Sequence, residues 1–257
     1  KGATRPETLL KLAQRNHIDL PAHDLAGLRD WFRFRDAMHF FDVYDLITEC
    51  FCTPDDIELA MREFIEGQAA QNIRYTEITY TPRRSLPFDE QLDALNRART
   101  WGESTHNTRV NIVIDIPREP PLETGVMLAE WAISGIGRGV VGFGLGGGPE
   151  TVETTRKFAR AFAIAKDAGL PRVPHAGEAA GPESMWAAIH TCEPVRIGHG
   201  VQCLADSDLV TELKRRDITL EVCPTSNVCL RVVNTLAGHP LPRLLDAGLS
   251  VTLGSDD

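Results

Sequence analysis

A chain of 257 residues with an apolar fraction of 42% and a charged fraction of 25% has the make-up of a globular protein able to build one large core. Its formal net charge of −9 excludes a general nucleic-acid-binding surface, and no apolar run reaches the roughly 18–20 residues that span a bilayer. Six cysteines (Cys50, Cys52, Cys192, Cys203, Cys223 and Cys229) form no C-x-x-C pair and no signal peptide is evident, so buried free thiols in a cytoplasmic protein are expected.

The pattern opens with a helix: Thr4 can cap it, Pro6 suits its first turn, and Glu7 completes a capping box ahead of Leu9, Leu10 and Ala13. Residues 29–48 are rich in aromatic and charged side chains. Thr53-Pro54-Asp55-Asp56 starts a further helix running to about Gln71. From there strands and helices alternate. Strands are expected over 73–81, 109–116, 140–145, 172–174, 195–197, 218–223 and 251–254. Helices are expected over 88–101, 121–133, 152–168, 182–191, 206–216 and 235–247.

Alternation of this kind implies a parallel sheet with right-handed crossovers. Polar residues recur after several consecutive strands, which favours a (β/α)8 TIM barrel over an open sheet with one switch point. The expectation is a single barrel domain over residues 1–257. Seven strands do not close an eight-stranded barrel, so a first strand is expected before Lys1 and a last helix after Asp257.

Three clusters carry chemistry. His175-Ala176-Gly177-Glu178, Gly198-His199-Gly200 and Ser255-Asp256-Asp257 each follow a strand pattern. A neutral imidazole is a good metal ligand, and a carboxylate three residues on can reach a substrate beside the metal. Taken singly, each cluster has an ordinary reading as a cap, a turn histidine or a turn acid. Together, at successive strand ends, they suit metal-assisted hydrolysis. The glycine-rich stretch 144–149 lacks the Lys-Ser/Thr of a P-loop and reads as a loop where backbone approaches a ligand. Glu221-Val222-Cys223-Pro224-Thr225-Ser226-Asn227 ends another strand in polar groups. His17, His23, His39, His106, His190 and His239 lie outside the strand ends and read as surface or helix residues.

The ordered set of motifs resembles the adenosine deaminase family of zinc-dependent amidohydrolases. It includes Tyr75-Thr76-Glu77-Ile78, Gly142-Phe143-Gly144-Leu145-Gly146-Gly147, His175-Ala176-Gly177-Glu178, Arg196-Ile197-Gly198-His199-Gly200 and Cys223-Pro224-Thr225-Ser226-Asn227. The resemblance implies one Zn2+ per chain, with His175 and Asp256 as ligands. It implies that Glu178 protonates purine N1, and that His199 orients or deprotonates the water on the zinc. Asp257 would bond that water and ring N7, and Gly147 would offer its N–H to N3.

The implied reaction is hydrolytic deamination of the 6-amino group of an adenine nucleoside. The substrate would be adenosine, or 6-amino-6-deoxyfutalosine of menaquinone synthesis. No nucleic-acid or membrane partner is implied, and the oligomeric state is left open.

Several features depart from the family pattern. The family's His-x-His-Leu-x-Gly would end the first strand, and the sequence starts at its x-Gly, Lys1-Gly2. Lys1 stands where many members carry an acid for the ribose 5′-hydroxyl, which suits an anionic 5′ group. Gly144 replaces an acid common in adenosine deaminases. Two alternatives follow: a non-catalytic nucleoside-binding member, or a deaminase of adenine or N6-methyl-AMP. An amide or ester hydrolase with two metals and a bridging lysine is disfavoured, because no lysine ends a middle strand. Residues 29–44 are expected to form a helical lid whose aromatics cover the sugar side or pack on outer helices.

Overall fold

The computed structural model describes residues 3–35 and 37–256, without the side chains of residues 37 and 38. Lys1, Gly2, Asp36 and Asp257 lie outside the described residues.

The described residues contain the seven expected strands: β1 (Tyr75–Tyr80), β2 (Arg109–Pro117), β3 (Val140–Gly146), β4 (Arg172–Ala176), β5 (Arg196–His199), β6 (Thr219–Val222) and β7 (Val251–Leu253). They form one sheet in chain order. Pairing is parallel from β2 to β7. Parallel neighbours need long crossovers, and a helix lies between each consecutive pair. The register aligns the strand ends that matter: Ala176 faces His199, Gly198 faces Glu221, and Val222 faces Leu253.

Packing divides the chain into two compact units. One takes residues 3–78 with 83–111 and Asp256. Its helix Pro54–Ala70 starts at a capping box in which Thr53 and Asp56 satisfy each other's backbone N–H. That helix buries Ile57, Met61 and Ile65, and its packing partner Phe88–His106 buries Leu92, Leu95 and Ala98.

The second unit takes Thr79–Pro82 with Ile112–Ser255. Phe143 on β3 meets Phe162 at 5.3 Å with the rings tilted, and helix Leu122–Ser134, which buries Leu128, Ala129 and Ala132, packs on the same strand and helix. A second cluster sets Ile197, Leu220 and Val222 against Met185 and Ile189 of helix Pro182–Cys192, Leu209 and Leu213 of helix Ser207–Arg215, and Leu244. These apolar side chains hold β4, β5 and β6 against their helices and so fix where the polar strand ends stand.

Three local expectations are corrected. Helix Pro6–Asn16 begins after Arg5, so Thr4 lies one residue too early to cap it and is buried instead. The segment 152–168 is two helices, Val152–Arg156 and Ala159–Asp167, broken where Phe158 leaves helical geometry and is fully buried. The segment 235–247 is a 3-10 turn, Leu236–Gly238, and a short helix, Leu241–Asp246. Pro240 separates them by forcing His239 into extended backbone. The expected lid is two helices, Leu25–Trp31 and Ala37–Glu49. Its rings meet edge to face, Phe34 with Phe40 at 5.2 Å and Phe40 with Phe41 at 5.4 Å.

Candidate metal centre and active site

Strands β4 and β5 place the two central histidines. His175 is the fourth residue of β4 rather than the first after it, and His199 is the last of β5. Their rings lie 5.2 Å apart. Gly198 lacks a side chain where a Cβ would press on the His175 ring, so the close approach needs glycine there. His199 holds φ 62° and Asp256 φ 61°, the left-handed region that His and Asp tolerate better than bulkier residues. Gly254, two residues before Asp256, donates to the Val222 carbonyl at 2.9 Å and so ties the end of β7 to β6. Ligand-type atoms of His175, His199 and Asp256 all lie within 4.8 Å of one another.

The hydrogen bonds separate the two histidines chemically. The Leu145 carbonyl can only accept, so His175 Nδ1 must donate to it at 3.0 Å. That places the His175 lone pair on Nε2, the form in which imidazole binds a cation. His199, only 1% exposed, instead meets the Asn227 amide nitrogen at its Nδ1, 3.3 Å away. Its Nε2 faces Glu178 Oε2 at 3.6 Å, beyond direct hydrogen-bond reach.

Glu178 rides on the loop after β4, and that loop is held tightly. Glu150 accepts from Gly177 N–H at 2.6 Å, Ala179 N–H at 2.9 Å, Ala180 N–H at 3.1 Å and the Ser184 hydroxyl at 2.6 Å. Burial would raise the Glu150 carboxyl. The bonds from Ser184, Ala180, Gly177 and Ala179 outweigh it and hold the group below the ordinary carboxylate value. The turn after β5 is stitched to the same loop: Gly200 N–H donates to the Ala176 carbonyl at 3.0 Å and Gln202 N–H to the Gly177 carbonyl at 3.1 Å. Arg118, 1% exposed, donates to the His175 carbonyl at 2.6 Å and to Thr155 Oγ1 at 2.9 Å.

Gly177 sits at φ 68° with Met185 packed where a Cβ would stand. Gly177→Ala is therefore expected to cost about 1–3 kcal/mol, read as a lowered Tm.

The remaining expectations fall out as follows. Gly144 and Gly146 lie within β3, and only Gly147, exposed with φ 73°, begins the loop. At Gly144 the space an acid would need is filled by the Asp115 carboxylate of β2, which also meets the Gly146 position. The strand β6 motif continues into a short helix, Pro224–Cys229, while Glu221 pairs with Arg196 at 2.7 Å. All six cysteines are free, as expected; Cys50, Cys192, Cys203 and Cys223 are buried, and Cys52 and Cys229 are exposed. Burial pushes the Cys50 and Cys203 thiols up to about 11, away from reactivity. His239 is 6% exposed and lies outside the helices, against its reading as a surface or helix residue, whereas His39, equally buried, lies in helix Ala37–Glu49. Lys1 and Asp257 lie outside the described residues.

The adenosine deaminase family model matches residues 1–257. The chain belongs to the adenosine deaminase family. One relative in that family is an aminodeoxyfutalosine deaminase of Streptomyces coelicolor, 39% identical over all of this chain and 67% of its own length. Among solved structures, an adenine deaminase from Arthrobacter aurescens matches with a TM-score of 0.91 and 31% identity, covering 100% of this chain and 79% of its own. A zinc-bound amidohydrolase from Burkholderia ambifaria matches with a TM-score of 0.85 and 22% identity, covering 99% and 72%. The fold class is that of the (β/α)8 metal-dependent hydrolases of the adenosine deaminase family. Among the described residues, no helix is long and apolar enough to cross a membrane.

Sequence reasoning missed Glu150, Arg118 and His239. Arg118 directly follows β2, but nothing in the sequence ties it, Glu150 or His239 to the partners the fold gives them. Asn227 lay inside a quoted motif, but its role was not read.

Proposed function

We propose that this adenosine deaminase family member hydrolyses the 6-amino group of an adenine nucleoside, with 6-amino-6-deoxyfutalosine as the first substrate to test and adenosine the second. The observation that carries the reading is the convergence of His175, His199 and Asp256 within 4.8 Å, with Glu178 3.6 Å from His199. The aminodeoxyfutalosine deaminase relative supports the first substrate. The structural likeness to an adenine deaminase favours free adenine as a second reading.

The donor set fits a divalent cation. His175 presents an Nε2 lone pair, Asp256 a carboxylate, and imidazole with carboxylate suits zinc. One zinc per chain, held by His175 and Asp256, would supply Lewis-acid activation of the attacking water. The protein groups do the rest. His199 holds that water toward C6 as its oxygen bonds there. Glu178 gives its proton to N1, neutralising the charge that addition puts on the ring. The first proton the water gives up restores the Glu178 carboxyl, the second passes from the new C6 hydroxyl to the amino group, and the C6–N bond breaks to leave a C6 carbonyl and ammonia. Gly147, exposed at the end of β3, offers its backbone N–H to N3. Asp257 is proposed for N7, and Lys1 for an anionic 5′ group.

The test follows the ultraviolet change of the purine with 6-amino-6-deoxyfutalosine, adenosine and adenine in parallel, with and without a chelator. Chelator-sensitive turnover that is greatest on 6-amino-6-deoxyfutalosine is expected. Preference for adenine would support the second reading. No turnover of any of the three by metal-loaded protein would overturn the deaminase assignment.

A further inference from the structure

His239 was read from the sequence as a surface or helix residue, yet it is buried and ends a directional chain of hydrogen bonds leading to the candidate site. The chain starts at a group whose role is beyond choice. The backbone N–H of Leu241 can only donate, and it points at His239 Nδ1 from 3.0 Å. His239 Nδ1 is therefore an acceptor, and the ring proton sits on Nε2. His239 Nε2 lies 3.1 Å from Asn227 Oδ1 and donates to it. The Asn227 amide is thereby oriented with its nitrogen toward His199 Nδ1, 3.3 Å away. Asn227 is fully buried, so bulk water does not compete for these bonds. Burial also lowers His239 relative to an ordinary histidine, in keeping with a neutral ring.

We propose that His239 is a positioning residue for His199, acting through Asn227 to hold His199 with its proton on Nε2, the nitrogen that faces Glu178. The proposal rests on the reading that His199 works on the substrate side of the reaction. It also gives the two site histidines different duties. His175 is locked by the Leu145 carbonyl with its lone pair on Nε2, and His199 is locked by the chain from Leu241 with a proton there. His175 is then the imidazole built to hold a cation, and His199 the one built to donate a hydrogen bond to water or substrate. Turning the chain around would set Leu241 N–H against an N–H on His239, which no rotation of the Asn227 amide relieves.

The experiment uses the intact, zinc-loaded protein with 15N-labelled histidine. Long-range proton–nitrogen correlation distinguishes a ring nitrogen that carries hydrogen from one that does not. Wild type is expected to show His199 protonated at Nε2 alone. Asn227→Asp replaces the donor amide by a second acceptor and should move the proton to Nδ1. His239→Leu should give mixed tautomers. It should also lower kcat about 10- to 100-fold while KM and bound zinc stay near wild type. His239→Gln, which can still donate to Asn227, should restore most of both signals.

A wild-type His199 protonated at Nδ1 would overturn the proposal without any variant having to fold. So would a well-folded His239→Leu protein whose His199 spectrum is unchanged. The tautomer readout needs no turnover, so a failure of the deaminase reading would show separately, as an Nε2–H His199 in a protein with no activity.

Discussion

Glu178→Gln is expected to keep its metal and lose most of its turnover. The amide matches the carboxyl in size and keeps its place on the loop that Glu150 and Gln202 hold, so binding elements stay as they are. What it lacks is a proton that can pass to N1. A positioned general acid contributes about 10²–10⁴-fold to a rate, and a loss of that order in kcat is expected. The proposed cation ligands, His175 and Asp256, are untouched, so metal content by atomic emission should equal that of wild type. Turnover near wild type in a protein with full metal would remove Glu178 from the mechanism. Loss of metal together with turnover would instead make Glu178 part of the cation site.

The second large effect belongs to a residue that touches neither cation nor substrate in the proposed scheme. Glu150→Ala strips an acceptor from three backbone N–H groups and the Ser184 hydroxyl at once. Leaving several partly buried donors unmet should lower stability by about 3–5 kcal/mol and slow the reaction, because Glu178 lies between two of the released amides. Glu150→Gln should retain part of both. The acid dependence gives an independent check. Glu150 is held below its ordinary value of 4.5 in the folded chain, so its stabilisation is complete above that value and is lost as pH falls through the folded one. Denaturant midpoints for wild type and Glu150→Gln should therefore differ most near neutrality and draw together below pH 4.5. A gap that stayed constant into acid would show that the charge on Glu150 contributes nothing.

β2 and β3 were legible because a buried parallel strand writes itself as a short apolar run, whereas β1, Tyr75–Tyr80, carries Thr, Tyr and Ile and was legible by β propensity. The candidate residues His175, His199 and Asp256 stood out because they sit at or just after strand ends, and the structure brings them together. What sequence did not reveal were supports reached across space. Glu150 precedes the 177–180 loop by more than 25 positions. Its meaning comes only from the fold that brings its carboxylate beneath those amides. His239 looked peripheral because it follows a turn rather than a strand, and only the 3-10 turn with Pro240 swings it inward. The break at Phe158 was hidden because 152–168 has good helical composition throughout, and burial of one aromatic ring overrode local propensity. Gly144 read as a missing acid, whereas the space is taken by a carboxylate from the neighbouring strand.

The strand register described above has an evolutionary consequence. His175 and His199 are aligned by pairings between strands, Ala176 with His199 and His175 with Gly198, and not by the segments that join them. The joining segments can therefore lengthen, shorten or change composition while His175 and His199 keep their spacing. Selection can rework what surrounds a substrate and leave the chemistry intact. That separation accounts for how one backbone plan can be shared, at 39% and 31% identity, with proteins named for different adenine-bearing substrates.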